Sequence, residues 1–171
     1  ENAKVVQAGT GYAFTEGPAV SPDGKVFFTD QPNDRIYVWD ETREIELWSD
    51  NTGRSNGMYF NADSQLVACA DLYNQLVYID RDKKKLFLFE NYEDRYLNGP
   101  NDLWIAPNGD IYFTDPYYHR DYWKEGHAPA QDVRGVYHLS HEGVASRVID
   151  DYKQPNGIIG TPDGKILYVA D

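Results

Sequence analysis

Four residues that offer side-chain oxygen recur at matching places in the sequence: Glu16, Asn56, Asn101 and Asn156. Each opens a stretch of one pattern: EGPAVSPDGKVFFTD, NGMYFNADSQLVACAD, NDLWIAPNGDIYFTD and NGIIGTPDGKILYVAD. One carboxylate and several amide oxygens converging on a point would form a site for a hard divalent cation. Ca2+ fits best, Mg2+ and Mn2+ less specifically. No Cys/His spacing typical of zinc is present. An Asn-Gly pair can also simply turn a strand start, and for any one pair that reading is the simpler. Equivalence across four repeats, one of them carrying Glu, favours ligands. Other chemistry finds little support: there is no G-x-S-x-G elbow, no H-E-x-x-H and no phosphate-cradling glycine loop.

The elements that must position these residues follow from the same repeat. After each polar head come apolar residues, a turn at Asp-Gly, Asn-Gly or Asp-Ser, and a dense apolar strand ending in Asp30, Asp71, Asp115 or Asp171. Asn-Gly and Asp-Gly tolerate the positive φ of tight hairpin turns. The heads are 40, 45 and 55 residues apart, near the about 40–50 residues of one four-stranded propeller blade. Two further strands per unit are read at 35–40 and 44–50, at 75–80 and 85–91, and at 135–140 and 146–151. No stretch longer than a turn shows helical periodicity.

The fold class is therefore all-β, a β-propeller of four-stranded antiparallel blades, with about three and a half blades in this chain. Blade 1 is assigned to 16–55, blade 2 to 56–98, blade 3 to 99–154 and the first half of blade 4 to 155–171. Residues 1–15, with the strand-like KVVQAG from Lys4 to Gly9, would supply a closing strand for the last blade. A closed four-bladed ring is the alternative to a larger ring whose other blades lie outside this sequence or come from another chain. The third step is lengthened by PYYHRDYWKEGHAPA, 116–130, expected as a long surface loop. Tyr117, Tyr118, Tyr122 and Trp123 are candidates to line a pocket, and His119 and His127 to shuttle a proton or touch substrate. Asp30, Asp71 and Asp115 are expected to accept backbone N–H bonds where a strand turns. Trp39, Trp48 and Trp104 should pack between blades.

Composition narrows the function classes. The chain of 171 residues carries a formal net charge of -12 and no basic stripe, so nucleic acid is not an expected partner. No apolar run reaches the about 18 residues of a membrane span. The single cysteine, Cys69, reads as a small buried hydrophobe, and it leaves the redox compartment open. The start at Glu1 reads as a processed or trimmed end, so a soluble protein, exported or periplasmic, is expected with its compartment unassigned.

FTEGPAVSPDG (14–24), LNGPNDLWIAPNGDIYFTDPYY (97–118) and QPNGIIGTPDGKILYVAD (154–171) resemble the gluconolactonase and regucalcin (senescence marker protein) family. The resemblance implies a six-bladed propeller with one divalent cation in the central channel, most often Ca2+, with Mg2+, Mn2+ or Zn2+ as other occupants. It implies that Glu16, Asn101 and Asn156 are three of four metal ligands. The fourth, an Asp that also serves as catalytic base or nucleophile, would lie beyond Asp171. Asn56 and Asp102 would then be channel-wall groups or partners behind the ligands. The implied activity is metal-dependent opening of a sugar-acid or related lactone. Phosphotriester or fluorophosphate hydrolysis at the same metal, and a non-catalytic binding module, are the alternatives.

Overall fold

The computed structural model describes residues 3–42 and 44–171. Its strands are β1 (Thr15–Val20), β2 (Val26–Asp30), β3 (Arg35–Trp39), β4 (Glu46–Asp50), β5 (Ser55–Phe60), β6 (Leu66–Ala70), β7 (Gln75–Ile79) and β8 (Lys85–Phe89). There follow β9 (Asn91–Tyr92), β10 (Arg95–Tyr96), β11 (Leu103–Ile105), β12 (Ile111–Asp115), β13 (Gly135–Leu139), β14 (Ala145–Ile149), β15 (Ile158–Gly160) and β16 (Leu167–Val169). Among the described residues, helix is confined to two 3-10 turns, Gln31–Asn33 and Asp71–Tyr73.

The sheets are antiparallel meanders in the order β1-β2-β3-β4, β5-β6-β7-β8 and β11-β12-β13-β14, followed by the pair β15-β16. The first strands lie side by side, β1 on β5, β5 on β11 and β11 on β15. Three blades and the inner half of a fourth are thus arranged as in a β-propeller. A short hairpin, β9-β10, follows blade 2 and was not foreseen from sequence. Gln131 clamps it, with Nε2 donating to the carbonyls of Tyr92, Arg95 and Tyr96.

The core lies between blades, and β6 shows why the apolar runs are so dense. Side chains alternate across a strand. Leu66, Ala68 and Ala70 pack toward blade 1 with Phe27, Ile36 and Met58. Val67 and Cys69 pack toward blade 3 with Leu103, Phe113 and Tyr137. A strand covered on both faces needs apolar residues at every position, and all five are buried. Burial pushes the Cys69 thiol well up, as befits a core residue. Trp104 joins Val136 and Ile158 between blades 3 and 4, and Trp48 meets Phe27 edge-on between blades 1 and 2.

No strand forms over Lys4–Gly9. Val5 and Val6 are 104% and 79% exposed, and no sheet edge among the described residues pairs with them. Among the described residues, no helix is long and apolar enough to cross a membrane.

Candidate functional site

The heads of the four inner strands meet where the blades converge. A cavity of about 300 Å3 is lined there by Glu16, Asn56, Asn101, Asp102 and Asn156, with Met58, Leu103 and Ile158 among its apolar walls. The local backbone explains the meeting. In β1 and β5 the register with the next strand slips just after the head, between Glu16 and Ala19 and between Ser55 and Met58. A bulge of this kind bends the strand and re-aims its side chains. At the third and fourth heads, Asn101 and Asn156 donate N–H bonds of 2.9 and 2.8 Å to the carbonyls of Thr114 and Ala170.

Adjacent heads are also fastened to each other. The Thr29 hydroxyl donates to the Asn56 carbonyl at 3.3 Å, and the Thr114 hydroxyl to the Asn156 carbonyl at 2.8 Å. Those threonines are the middle letter of the repeated F-T-D. Between blades 2 and 3 the Gly57 N–H donates to the Asn101 carbonyl at 2.8 Å.

Asp102 occupies the position held by Gly17, Gly57 and Gly157 in the other repeats. It accepts the N–H of Ile158 from the next blade at 3.1 Å and that of Leu103 at 2.9 Å. Its carboxylate is a structural tie between two inner strands. Burial raises it to about 6, against those two N–H donors, and the nearby charge of Glu16 raises it further.

The remaining head side chains are less engaged. Among the described residues, the Glu16 carboxylate and the side-chain amides of Asn56 and Asn101 have no hydrogen-bond or ion-pair partner, although Asn56 and Asn101 are 3% and 6% exposed. The Asn156 amide donates from Nδ2 to the Tyr118 hydroxyl at 2.9 Å, which leaves Oδ1 unengaged. Buried amides without partners are costly. One carboxylate and several neutral oxygens fit a hard cation by donor type. No group of three or more His, Cys, Asp or Glu able to hold a metal occurs among the described residues, so a site here relies on amides and on ligands from elsewhere.

The loop at 116–130 is placed differently from expectation. None of its residues lines this cavity. Tyr118 touches it only through Asn156. His119 is largely exposed, with Nδ1 4.0 Å from Asp121. Tyr117, Trp123 and His127 stack on one another, with Trp123 and His127 centroids 3.9 Å apart. Tyr122 and Trp123 direct their polar atoms to Asp71: the hydroxyl to Oδ2 at 2.9 Å, the indole N–H to the backbone carbonyl at 3.2 Å. Arg120 Nε pairs with the same Oδ2 at 2.6 Å.

The repeated aspartates divide in role. Asp30 accepts N–H bonds from Ala13 and Phe14, Asp115 from Asn98 and Gly99, and Asp171 from Gln154. Asp71 accepts none, which corrects the expectation of one shared role. The Arg54 N–H that would reach it goes instead to Asp34 at 2.7 Å. His138 and His141, of no assigned use in the sequence, both bond Asp110 at the far end of blade 3.

Fold and site together define part of a propeller whose inner strands bring oxygen donors to one cavity. Residues 14–171 match the family described as SMP-30/Gluconolactonase/LRE-like region, and the chain belongs to that family. It is 25% identical to a gluconolactonase of Zymomonas mobilis over 173 residues, covering 92% of this chain and 49% of that protein. Among solved structures, a gluconolactonase from Xanthomonas campestris is 30% identical with a TM-score of 0.84, covering 93% of this chain and 54% of that one. A calcium-binding regucalcin from Agrobacterium tumefaciens shares the fold at 19% identity and a TM-score of 0.72, over 95% of this chain and 52% of that one. The chain thus spans about half the length of these relatives.

Proposed function

We propose that the protein containing this chain is a divalent-metal-dependent hydrolase that opens a sugar-acid or related lactone at the channel mouth. The observation that carries this reading is the cavity of about 300 Å3 into which Glu16, Asn56 and Asn101 bring side chains without partners. Membership of the gluconolactonase family supplies the substrate class.

Glu16, Asn101 and Asn156 would hold the ion, Ca2+ first by donor chemistry. Such a cation polarises an ester carbonyl and carries the charge that develops on its oxygen. Glu16 contributes the one full negative charge of these three ligands, and the two amides add oxygen without charge. The Tyr118 hydroxyl accepts from Asn156 Nδ2 and so fixes which end of that amide remains unengaged. Met58, Leu103 and Ile158 give the wall an apolar surface against which the carbon skeleton of a lactone can lie. The base that activates water is assigned, by family resemblance, to an aspartate outside this sequence.

The test is Glu16→Gln in the intact protein, with bound Ca2+ measured by calorimetry and elemental analysis and lactone opening followed by acid release. Replacing a partner behind a ligand typically costs 10–100-fold in metal affinity, so losing the charged ligand should exceed about 100-fold. Unchanged metal content would overturn the ligand assignment. Faster hydrolysis of a phosphotriester than of any lactone would overturn the substrate class.

A further inference from the structure

The break in the aspartate pattern gives the 116–130 loop its footing. Asp71 is 2% exposed and free of backbone work, because Asp34 takes the Arg54 N–H at 2.7 Å and the Thr52 hydroxyl at 3.0 Å. Asp71 instead gathers donors from two other blades. Gln31 Nε2 reaches its Oδ2 at 2.7 Å from blade 1, and Arg120 and Tyr122 reach the same oxygen from the loop of blade 3. The Tyr122 ring lies under the Arg54 guanidinium at 4.1 Å. Asp71 Oδ1 has no partner and sits over Gly99. A Cβ at Gly99 would come within 3.1 Å of that oxygen and 3.2 Å of the Trp123 ring, and its φ of +145° favours glycine in any case. The loop therefore packs closely against a bare patch of backbone.

The start of the same loop is tied to blade 4. Gln154 Nε2 donates to the Tyr117 carbonyl at 2.8 Å, and Asn156 Nδ2 to the Tyr118 hydroxyl at 2.9 Å. Within seven residues, 117 to 123, the segment is held at one end by Asn156 and at the other by Asp71.

We propose that Asp71 is a positioning residue that latches the 116–130 loop beside the channel mouth and, through Tyr118, sets the Asn156 amide in its ligand orientation. The link to Asn156 rests on the ligand reading above; the latch itself does not. Removing one partner of a buried ion pair leaves a charge without compensation and frees whatever it held. Arg120 and Lys124 give trypsin two sites within the latched stretch, and cleavage of a folded protein follows the population of the open form.

The experiment compares Asp71→Asn, Tyr118→Phe and the double variant in the intact protein, with Arg120→Gln as the substitute should Asp71→Asn fail to fold. Trypsin cleavage after residues 120–124 should accelerate about tenfold in Asp71→Asn, since the open population sets the rate. Ca2+ affinity, measured with the ion alone, should fall several-fold in each single variant. The double variant should lose no more than the worse single, because residues acting on one element do not add. Unchanged cleavage overturns the latch. Lower melting temperature with unchanged Ca2+ affinity, or additive losses, overturns the coupling to Asn156. A wild-type protein that binds no Ca2+ would sink the metal reading, with the cleavage rates still deciding the latch.

Discussion

Each inner hairpin is polar at both ends, yet the two ends treat their polar groups in opposite ways. At the turn end most side-chain oxygens have a local use. Ser21 donates to Asp23 at 2.6 Å, Asn61 to Gln65 at 2.9 Å and Thr161 to Asp163 at 2.6 Å. Asp110 takes His138, His141 and Asn108 together. At the mouth, the backbone N–H groups of Asn101 and Asn156 are paired while the side chains of Glu16, Asn56 and Asn101 are not. Polarity alone therefore does not mark a site on this fold; polar side chains that open onto a shared cavity without partners do. The comparison can be broken or sharpened at three points.

The largest effect is expected at Asp115, a mouth-end carboxylate that is wholly structural. It accepts Asn98 and Gly99 N–H groups on its two oxygens and is fully buried, and burial raises it to about 7 from 3.8. The folded protein then holds this proton more tightly than the unfolded chain. The associated stability is fully present below pH 3.8 and is lost as pH rises through about 7. Relative to Asp115→Asn, the wild type should lose up to about 4 kcal/mol over that window, at about 1.4 kcal/mol per pH unit. Urea unfolding of both proteins at several pH values measures it. A difference that is flat from pH 4 to 7 and shrinks only in stronger acid would mean that the two N–H donors outweigh burial.

Glycines at the two ends give the next test. A Cβ at Gly57 would lie 2.3 Å from Asp102 Oδ1 and 2.6 Å from the Asn101 carbonyl oxygen, inside the fastening between blades 2 and 3. At Gly109, in the far turn, nothing comes closer than His141 Cβ at 3.8 Å, and only the φ of +89° resists a side chain. Gly57→Ala should cost about 2–3 kcal/mol by overpacking, and Gly109→Ala about 1 kcal/mol by backbone strain. Equal costs in denaturant titration would show that the mouth is no more tightly built than the turn.

Much of this architecture was readable beforehand. The hairpins, their turn residues and the spacing of the heads follow from a period-2 pattern and from Asp-Gly or Asn-Gly, which act over a few residues. That is why all six outer strands appear within two residues of their expected limits. The convergence of Glu16, Asn101 and Asn156 was readable because repetition forces equivalent positions to meet. Asp71 was not, since it is written like Asp30 and Asp115. Its difference depends on donors at 31, 120 and 122, and on Asp34 taking its usual N–H. Nor was the loop's direction, because 116–130 carries no repeat and its aromatic residues suit a pocket and a latch equally. Asp102 was named only as a channel-wall group or a partner behind the ligands; its tie to the Ile158 N–H, 56 residues away in the next blade, could not be read from sequence.

The smallest effect is expected at Asp110, where the turn end is most densely charged. The His138 ring, held 2.8 Å away, depresses this carboxyl well below its usual range; desolvation opposes it, and the His141 N–H and ring and the Asn108 amide add smaller depressions. His138 is registered with Tyr112, their rings 4.8 Å apart, and its imidazole reaches Asp110 just before β12 begins. Its stabilisation is present above pH 3.8 and is lost as pH falls through the depressed value. Asp110→Asn keeps one acceptor oxygen and should cost about 1 kcal/mol near neutrality, the usual worth of a hydrogen bond. The gap to wild type should close only in acid, opposite in direction to Asp115. Because both Asp110 oxygens are engaged locally, Ca2+ affinity and cleavage at 120–124 should match wild type. A change in either would mean that the two ends of the hairpin communicate, and the contrast between them would then fail as a guide to where the site lies.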